Sequence, residues 1–284
     1  MERHARAASR QAVSGLRSGP RSLVVASGKG GVGKSHIALN AAVQIAKTGR
    51  SVCVLDTNPG PGNLELLCGL NGYWNLKHVL TGSRSVADVA LVGPQDLQIL
   101  SGAAELLDSP FRSPTNAQCQ AWTQVAAFLQ QFQYVILDTS CGDQTLTRRL
   151  MQAADCTWLI TTPELTAIAD AYSLVKSCAA QGPLPQIEVL VNRAESPLQA
   201  RDIIERMQQT ARSFLQQELY QSGYIPHDLC VPQAVNQRQP FVLTAPKSAA
   251  SLALAQLARQ WMERNTATTS TFTQRFTHHI SRAA

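Results

Sequence analysis

The stretch ASGKGGVGKSH (residues 26–36) decides the fold. It leaves an apolar, β-branched run, SLVVA (22–26), and enters HIALNAAVQIAK, whose apolar residues recur at helical spacing. Between them Gly28, Gly30, Gly31 and Gly33 are too closely spaced for any regular element. The residues fit G-x-x-x-x-G-K-[S/T], and the flanking strand and helix supply the context that this phosphate-binding pattern requires. Glycines let successive backbone N–H groups turn inward around phosphate oxygens, and the helix N-terminus adds its positive end. Lys34 is placed to neutralise the outer phosphates and the Ser35 hydroxyl to ligate Mg²⁺. Lys29 is a second lysine, which the general pattern does not need.

Working outward, short β-branched runs alternate with longer amphipathic stretches, the pattern of a parallel sheet wrapped by helices. Strands are expected at 22–26, 51–56, 97–100, 134–138, 156–161, 187–192 and 223–225, most of them apolar on both faces. Helices are expected from the glycine loop to about Thr48, and at 116–131, 144–154, 166–180, 197–220 and 247–263, with Ser196 capping the fifth and Pro197 in its first turn. The expected architecture is therefore α/β: a doubly wound, mostly parallel sheet with helices on both faces, in a single P-loop domain over residues 22–262. A basic N-terminal arm (1–21) and a C-terminal tail (263–284) flank it.

With 44% hydrophobic residues and 15% charged, the chain reads as a compact cytosolic protein and not a disordered one. No run of eighteen apolar residues suggests a membrane span, and the N-terminus lacks the apolar core of a secretory signal. Seven cysteines without a C-x-x-C pair read as reduced and mostly buried. Of the net charge of +6, +4 lies in residues 1–21, which suits a solvated arm and leaves the body near neutral.

KGGVGKS with its early lysine resembles the deviant phosphate loop of the MinD/ParA family of P-loop ATPases. The resemblance implies ATP and Mg²⁺ as ligands, with Gly28, Lys29, Gly30, Gly31, Val32, Gly33, Lys34, Ser35 and His36 forming the phosphate end. It also implies a homodimer in the ATP state, Lys34 serving its own nucleotide and Lys29 reaching the partner's. LDTNPGPGNLELLCGL (55–70) is similar to the family's first switch, D-x-D-x-G-x-x-N-[LV]-[DE], through Asp56, Gly60, Asn63, Leu64 and Glu65. Asn58 replaces the second aspartate, which in the family orients or activates water. An amide holds water but accepts no proton at neutral pH, so slow hydrolysis is expected. YVILDTSCGD (134–143) has the Walker B form, an apolar strand ending in Asp138, and Thr139 and Gly142 resemble the family's second switch. Ser35, Asp56 and Asp138 are thus the expected metal group, and Lys29, Lys34, Asn58 and Asp138 the expected catalytic set. At the base end the resemblance assigns Asn192, and Pro226, His227 and Asp228 of GYIPHD (223–228).

TTPELTAIADAYSLVK (161–176) and residues 74–102 are similar to the family's flagellar-number regulator branch (FlhG, FleN or YlxH). That branch implies an FlhF-like GTPase, a flagellar transcription activator or flagellar switch components as partners. RQAVSGLR (10–17) keeps part of the branch's D-Q-A-x-x-L-R motif. Phe272, Phe276 and Ile280 form one helical stripe, readable as a weak peripheral anchor on the inner face of the cell membrane or as a frayed tail. Two alternatives stay open: a partition ATPase binding DNA through phosphates, which the near-neutral body disfavours, and another membrane-positioning ATPase of MinD type.

Overall fold

The structure, a computed structural model, describes residues 19–58, 63–102, 115–141, 144–182, 184–264 and 270–281. Gly60, Gly142 and the arm motif at 10–17 lie outside these residues. The first half runs β1 (Arg21–Ala26), α1 (Lys34–Ala46), β2 (Val52–Asp56), α2 (Asn63–Leu67), α3 (Leu76–Leu80), α4 (Val86–Val89), β3 (Leu91–Val92), β4 (Gln98–Leu100), α5 (Asn116–Leu129) and β5 (Tyr134–Asp138). The second half runs α6 (Gln144–Ala153), β6 (Cys156–Thr161), α7 (Leu165–Ala179), β7 (Gln186–Ala194), α8 (Pro197–Leu215) and β8 (Leu219–Pro226). It closes with α9 (Cys230–Asn236), α10 (Phe241–Thr244), α11 (Ala249–Glu263) and α12 (Phe272–Ser281).

The strand order is β3-β4-β2-β5-β1-β6-β7-β8, parallel throughout except for the short β3 at one edge. Period-two alternation sorts the apolar runs between two cores. Val24, Ala26, Val135 and Leu137 face the layer containing α5 to α8, while Leu23, Val25 and Ile136 face α1 and α11. The chain winds outward in both directions from β1, so the sheet has its switch point where the glycine loop emerges, and a crevice opens at the carboxyl ends of the strands.

Every expected strand is present. The antiparallel β3 and the short helices at 63–67, 76–80, 86–89, 230–236 and 241–244 were not foreseen. Ser196 caps α8 as expected, its Oγ accepting from the Gln199 amide. That helix was expected to reach residue 220, but it stops at Gln216 in a left-handed conformation (φ 51°), because residues from Leu219 are drawn into pairing with β7. The cysteines are free, as read, yet only Cys53, Cys156 and Cys178 are buried, and Cys141 is exposed.

The C-terminal stripe is helical and faces inward. Phe272, Phe276 and Ile280 are at most 1% exposed in one core, with the Phe276 ring edge-on to Trp122 at 5.9 Å. Arg275 locks the helix down: Nη2 donates to Asp155 Oδ1 at 2.7 Å and Nε to the Ala153 carbonyl at 2.8 Å. The other Asp155 oxygen accepts from the amide and hydroxyl of Ser22 on β1. The residues expected to meet lipid or fray are therefore part of the fold, because the groove beside Trp122 offers a dry contact that neither alternative provides. No helix among the described residues is long and apolar enough to cross a membrane. Phe276→Ala should lower stability by about 3–5 kcal/mol, the usual range for emptying a phenylalanine site, as read from denaturant unfolding.

Candidate functional site

Parallel register sets the floor of the site. Val25 and Asp56 both pair with Asp138, so β1, β2 and β5 end at one level. The loop departs from β1 at that level and delivers Gly33, in the left-handed region (φ 97°), as the residue that starts α1. Two of its glycines are sterically obligatory. A Cβ on Gly28 would lie 1.9 Å from the Asp170 carbonyl of α7, and one on Gly33 would lie 2.5 Å from Asn192 Nδ2. The loop is thus wedged between α7 and the end of β7.

Lys34 is 7% exposed, and its ammonium lies under the loop, donating to Ser27 Oγ at 2.9 Å and to the Lys29 carbonyl at 3.4 Å. Burial lowers its pKa, and the charge of Asp138 pulls it partly back. A polyphosphate would supply the counter-charge that this ammonium lacks. Lys29 is placed quite differently. Its Nζ lies outside the arch and donates to Glu164 Oε2 at 2.6 Å and Thr166 Oγ1 at 2.8 Å. The Lys29 side chain is 35% exposed and that of Glu164 59%, so water screens the pair and holds it weakly. Glu164 and Thr166 open α7; the sequence reading missed this contact because it spans 135 residues.

Asp56 and Asp138 are both fully buried. Between them sits Asn58, whose Nδ2 donates to Asp56 Oδ1 at 2.8 Å and Asp138 Oδ2 at 2.6 Å. Desolvation raises both acids, and for Asp138 the nearby Asp56 adds to the effect, pushing it to about 8. Asp138 Oδ1 has no hydrogen-bond partner. A buried carboxylate oxygen left unpaired beside a second carboxylate and Ser35 is a donor set that suits a hard divalent cation, so the expected metal group fits Mg²⁺. Ser35, Asp56 and Asp138 would hold it, and the cation would neutralise phosphate charge when bound.

The base end is a cavity of about 370 Å³ whose walls include His36, Asn192, Arg193, Pro226, His227 and Asp228. Its apolar side is Ile37, Val231 and Phe241. Burial, followed by the charge of Arg193, lowers the His36 pKa and favours the neutral imidazole. Asn192 donates to the Val32 carbonyl at 2.8 Å, bracing the loop. The Asp228 carboxylate accepts from the Cys230 and Ala250 amides, so it shapes the cavity by holding α9 and α11. Arg193 was quoted within VNR but not singled out. It is held at φ 57° and donates to the Gly31 carbonyl at 3.1 Å, linking cavity and loop.

A glycine arch over a buried lysine, a strand-end carboxylate pair and an adjoining cavity define a nucleotide-binding P-loop α/β protein. The family model described as ParA, NUBPL iron-transfer P-loop NTPase, matches residues 20–262, and the chain belongs to that family. It is 31% identical over 240 residues to antiactivator FleN of Pseudomonas aeruginosa, covering 84% of this chain and 85% of the relative. It is 27% identical over 237 residues to flagellum site-determining protein YlxH of Helicobacter pylori, covering 83% and 80%. Among solved structures, septum site-determining protein MinD with Mg-ADP from Pyrococcus horikoshii superposes with a TM-score of 0.67 at 23% identity, covering 86% of this chain and 96% of that one. These comparisons agree with the resemblance read from the loop and switches.

The raised Asp138 pKa gives a signed expectation. A carboxyl whose folded pKa exceeds its unfolded one stabilises fully at low pH and loses that contribution as pH rises through the folded value. Between pH 3.8 and about 8 this group therefore weakens the nucleotide-free protein as pH increases. Asp138→Asn should flatten the profile of Tm against pH over that window, measured by calorimetry without nucleotide or Mg²⁺.

Proposed function

We propose that the chain is an ATP-binding, dimerising regulator of flagellar assembly, switched by nucleotide and slow to hydrolyse it. The observation that carries the reading is the division of labour between the two lysines. Lys34 fills the arch, whereas Lys29 stands outside it on a weak, exposed contact. A second cation at the rim has no phosphate of its own to serve, and is well placed to serve one held by another copy. The direction towards flagella rests on the similarity to FleN and YlxH, whose names describe an antiactivator and a flagellar site determinant. An FlhF-like GTPase, a flagellar transcription activator and switch-complex components are the partners to try first.

In this reading Mg-ATP draws Lys29 away from Glu164 and pairs two copies face to face, and the paired surface engages the partner. Hydrolysis then resets the monomer. Asn58 has no basic lone pair at neutral pH, so the step relies on water positioning and phosphate neutralisation. General-base assistance contributes roughly 10²–10⁴-fold where present, and its absence keeps the ATP state long-lived.

The test is light scattering on purified protein. Mg-ATP should convert wild type from monomer to dimer and Mg-ADP should not. Lys29→Ala should still bind ATP but remain monomeric, whereas Lys34→Ala should lose binding. A Lys29→Ala protein that dimerises normally would sink the assignment. Glu164→Gln removes the cis partner's charge and should shift dimerisation to lower ATP concentration. Steady-state assays supply a further check: Asn58→Asp should raise kcat at least tenfold, and a brisk wild-type rate that this change leaves alone would refute slow turnover.

A further inference from the structure

The buried Asn58 amide makes contacts that water positioning does not require. Its side-chain nitrogen lies within hydrogen-bond distance of two carboxylates at once, 2.8 Å from Asp56 Oδ1 and 2.6 Å from Asp138 Oδ2. The flipped amide would turn its oxygen on two acceptors, so the network admits one orientation. Asn58 is also held through its backbone: its N–H donates to Asp56 Oδ1 at 2.9 Å, and its carbonyl packs so closely on Gly102 that a Cβ there would lie 2.5 Å from the oxygen. Both carboxylates are completely buried, and Leu64 N, at 3.4 Å from Asp56 Oδ2, is the longest of the other bonds they receive. Nothing else among the described residues spans the pair.

We infer that Asn58 is a positioning residue which takes the place of the divalent cation when no nucleotide is bound. Two carboxylates at the dry end of a sheet need positive charge or N–H donors between them. Asn58 supplies two N–H bonds from one nitrogen, bridging the acids as a cation would but without carrying charge. The amide and a cation compete for the same carboxylate lone pairs. Metal therefore enters only with the phosphates of a nucleotide, and its arrival displaces the Asn58 amide from the two acids. An aspartate at this position would act in the opposite sense. Three carboxylates would repel one another in the empty site and form an oxygen cage that binds a hard cation without nucleotide. The substitution thus couples metal loading to nucleotide loading, in addition to slowing hydrolysis. The inference rests on the nucleotide-site reading given above, and the experiment separates the two.

Thermal unfolding is followed for wild type, Asn58→Asp and Asn58→Ala at pH 8 in EDTA, in millimolar Mg²⁺ or Mn²⁺ alone, and in Mg-ATP. In EDTA both variants should melt lower than wild type, Asn58→Asp by roughly 5–10 °C, as a small number of kcal/mol produces in a domain of this size. Metal alone should leave wild type unchanged and raise Asn58→Asp by several degrees. Asn58→Ala, which offers neither bridge nor third carboxylate, should respond less than Asn58→Asp. Wild type stabilised by metal alone as strongly as Asn58→Asp would overturn the inference. So would an Asn58→Ala protein as stable as wild type in EDTA. Failure of Mg-ATP to raise the wild-type Tm would instead count against the nucleotide site itself. If Asn58→Asp does not fold in EDTA, recovery of folded protein on adding Mn²⁺ alone supports the inference, and the Asn58→Ala arm still decides it.

Discussion

Two carboxylates at the same height in a parallel sheet, both out of water, are the constraint around which this molecule is arranged. The register that aligns Asp56 with Asp138 is set far from the site, by the apolar runs of β2 and β5 choosing sides of the sheet. A shift of one residue would turn Ile136 and Leu137 to the wrong cores and lift one acid above the other. Core packing therefore holds the acids together against their repulsion, and packing energy, not local attraction, maintains the geometry. The site pays for this by needing a donor between them at all times, which is Asn58 when no cation is present.

The same logic extends to the loop. A glycine arch is floppy in isolation, yet here it is clamped by a carbonyl of α7 against Gly28 and by Asn192 against Gly33. Those two clamps come from the segments that also carry Glu164 with Thr166 and Arg193. The glycine loop, the adjoining cavity and Lys29 are therefore joined mechanically through α7 and the end of β7. A nucleotide that moves the loop must disturb the Lys29–Glu164 contact, which water reaches and screens.

Much of this was legible in the sequence. The strand–loop–helix unit follows from glycine spacing, and the parallel sheet from apolar runs that lack a polar face. Asp138 ends β5 as the family pattern requires, whereas β7, expected to end at Asn192, runs on to Ala194. What escaped reading depends on distant partners. Phe272, Phe276 and Ile280 show the same stripe whether they face lipid or Trp122, and only the groove beside α5 settles the choice. The end of α8 escaped because Leu219 onward is recruited by β7, overriding local helical preference. Asn58 was visible as a missing carboxylate, but its bond to an acid 80 residues away was not.

The position of Asn58 also changes what the missing carboxylate means. Read as a catalytic loss alone, the substitution weakens an enzyme. Placed between buried acids, it also gives the nucleotide-free state a donor shared by both, which three carboxylates would deny it. A regulator that counts or positions structures needs two well-defined states more than it needs rapid turnover. An empty state held by hydrogen bonds and an ATP state held by metal and by a second copy would meet that need. The exposed Lys29–Glu164 pair sits between them as a contact weak enough to be exchanged in either direction.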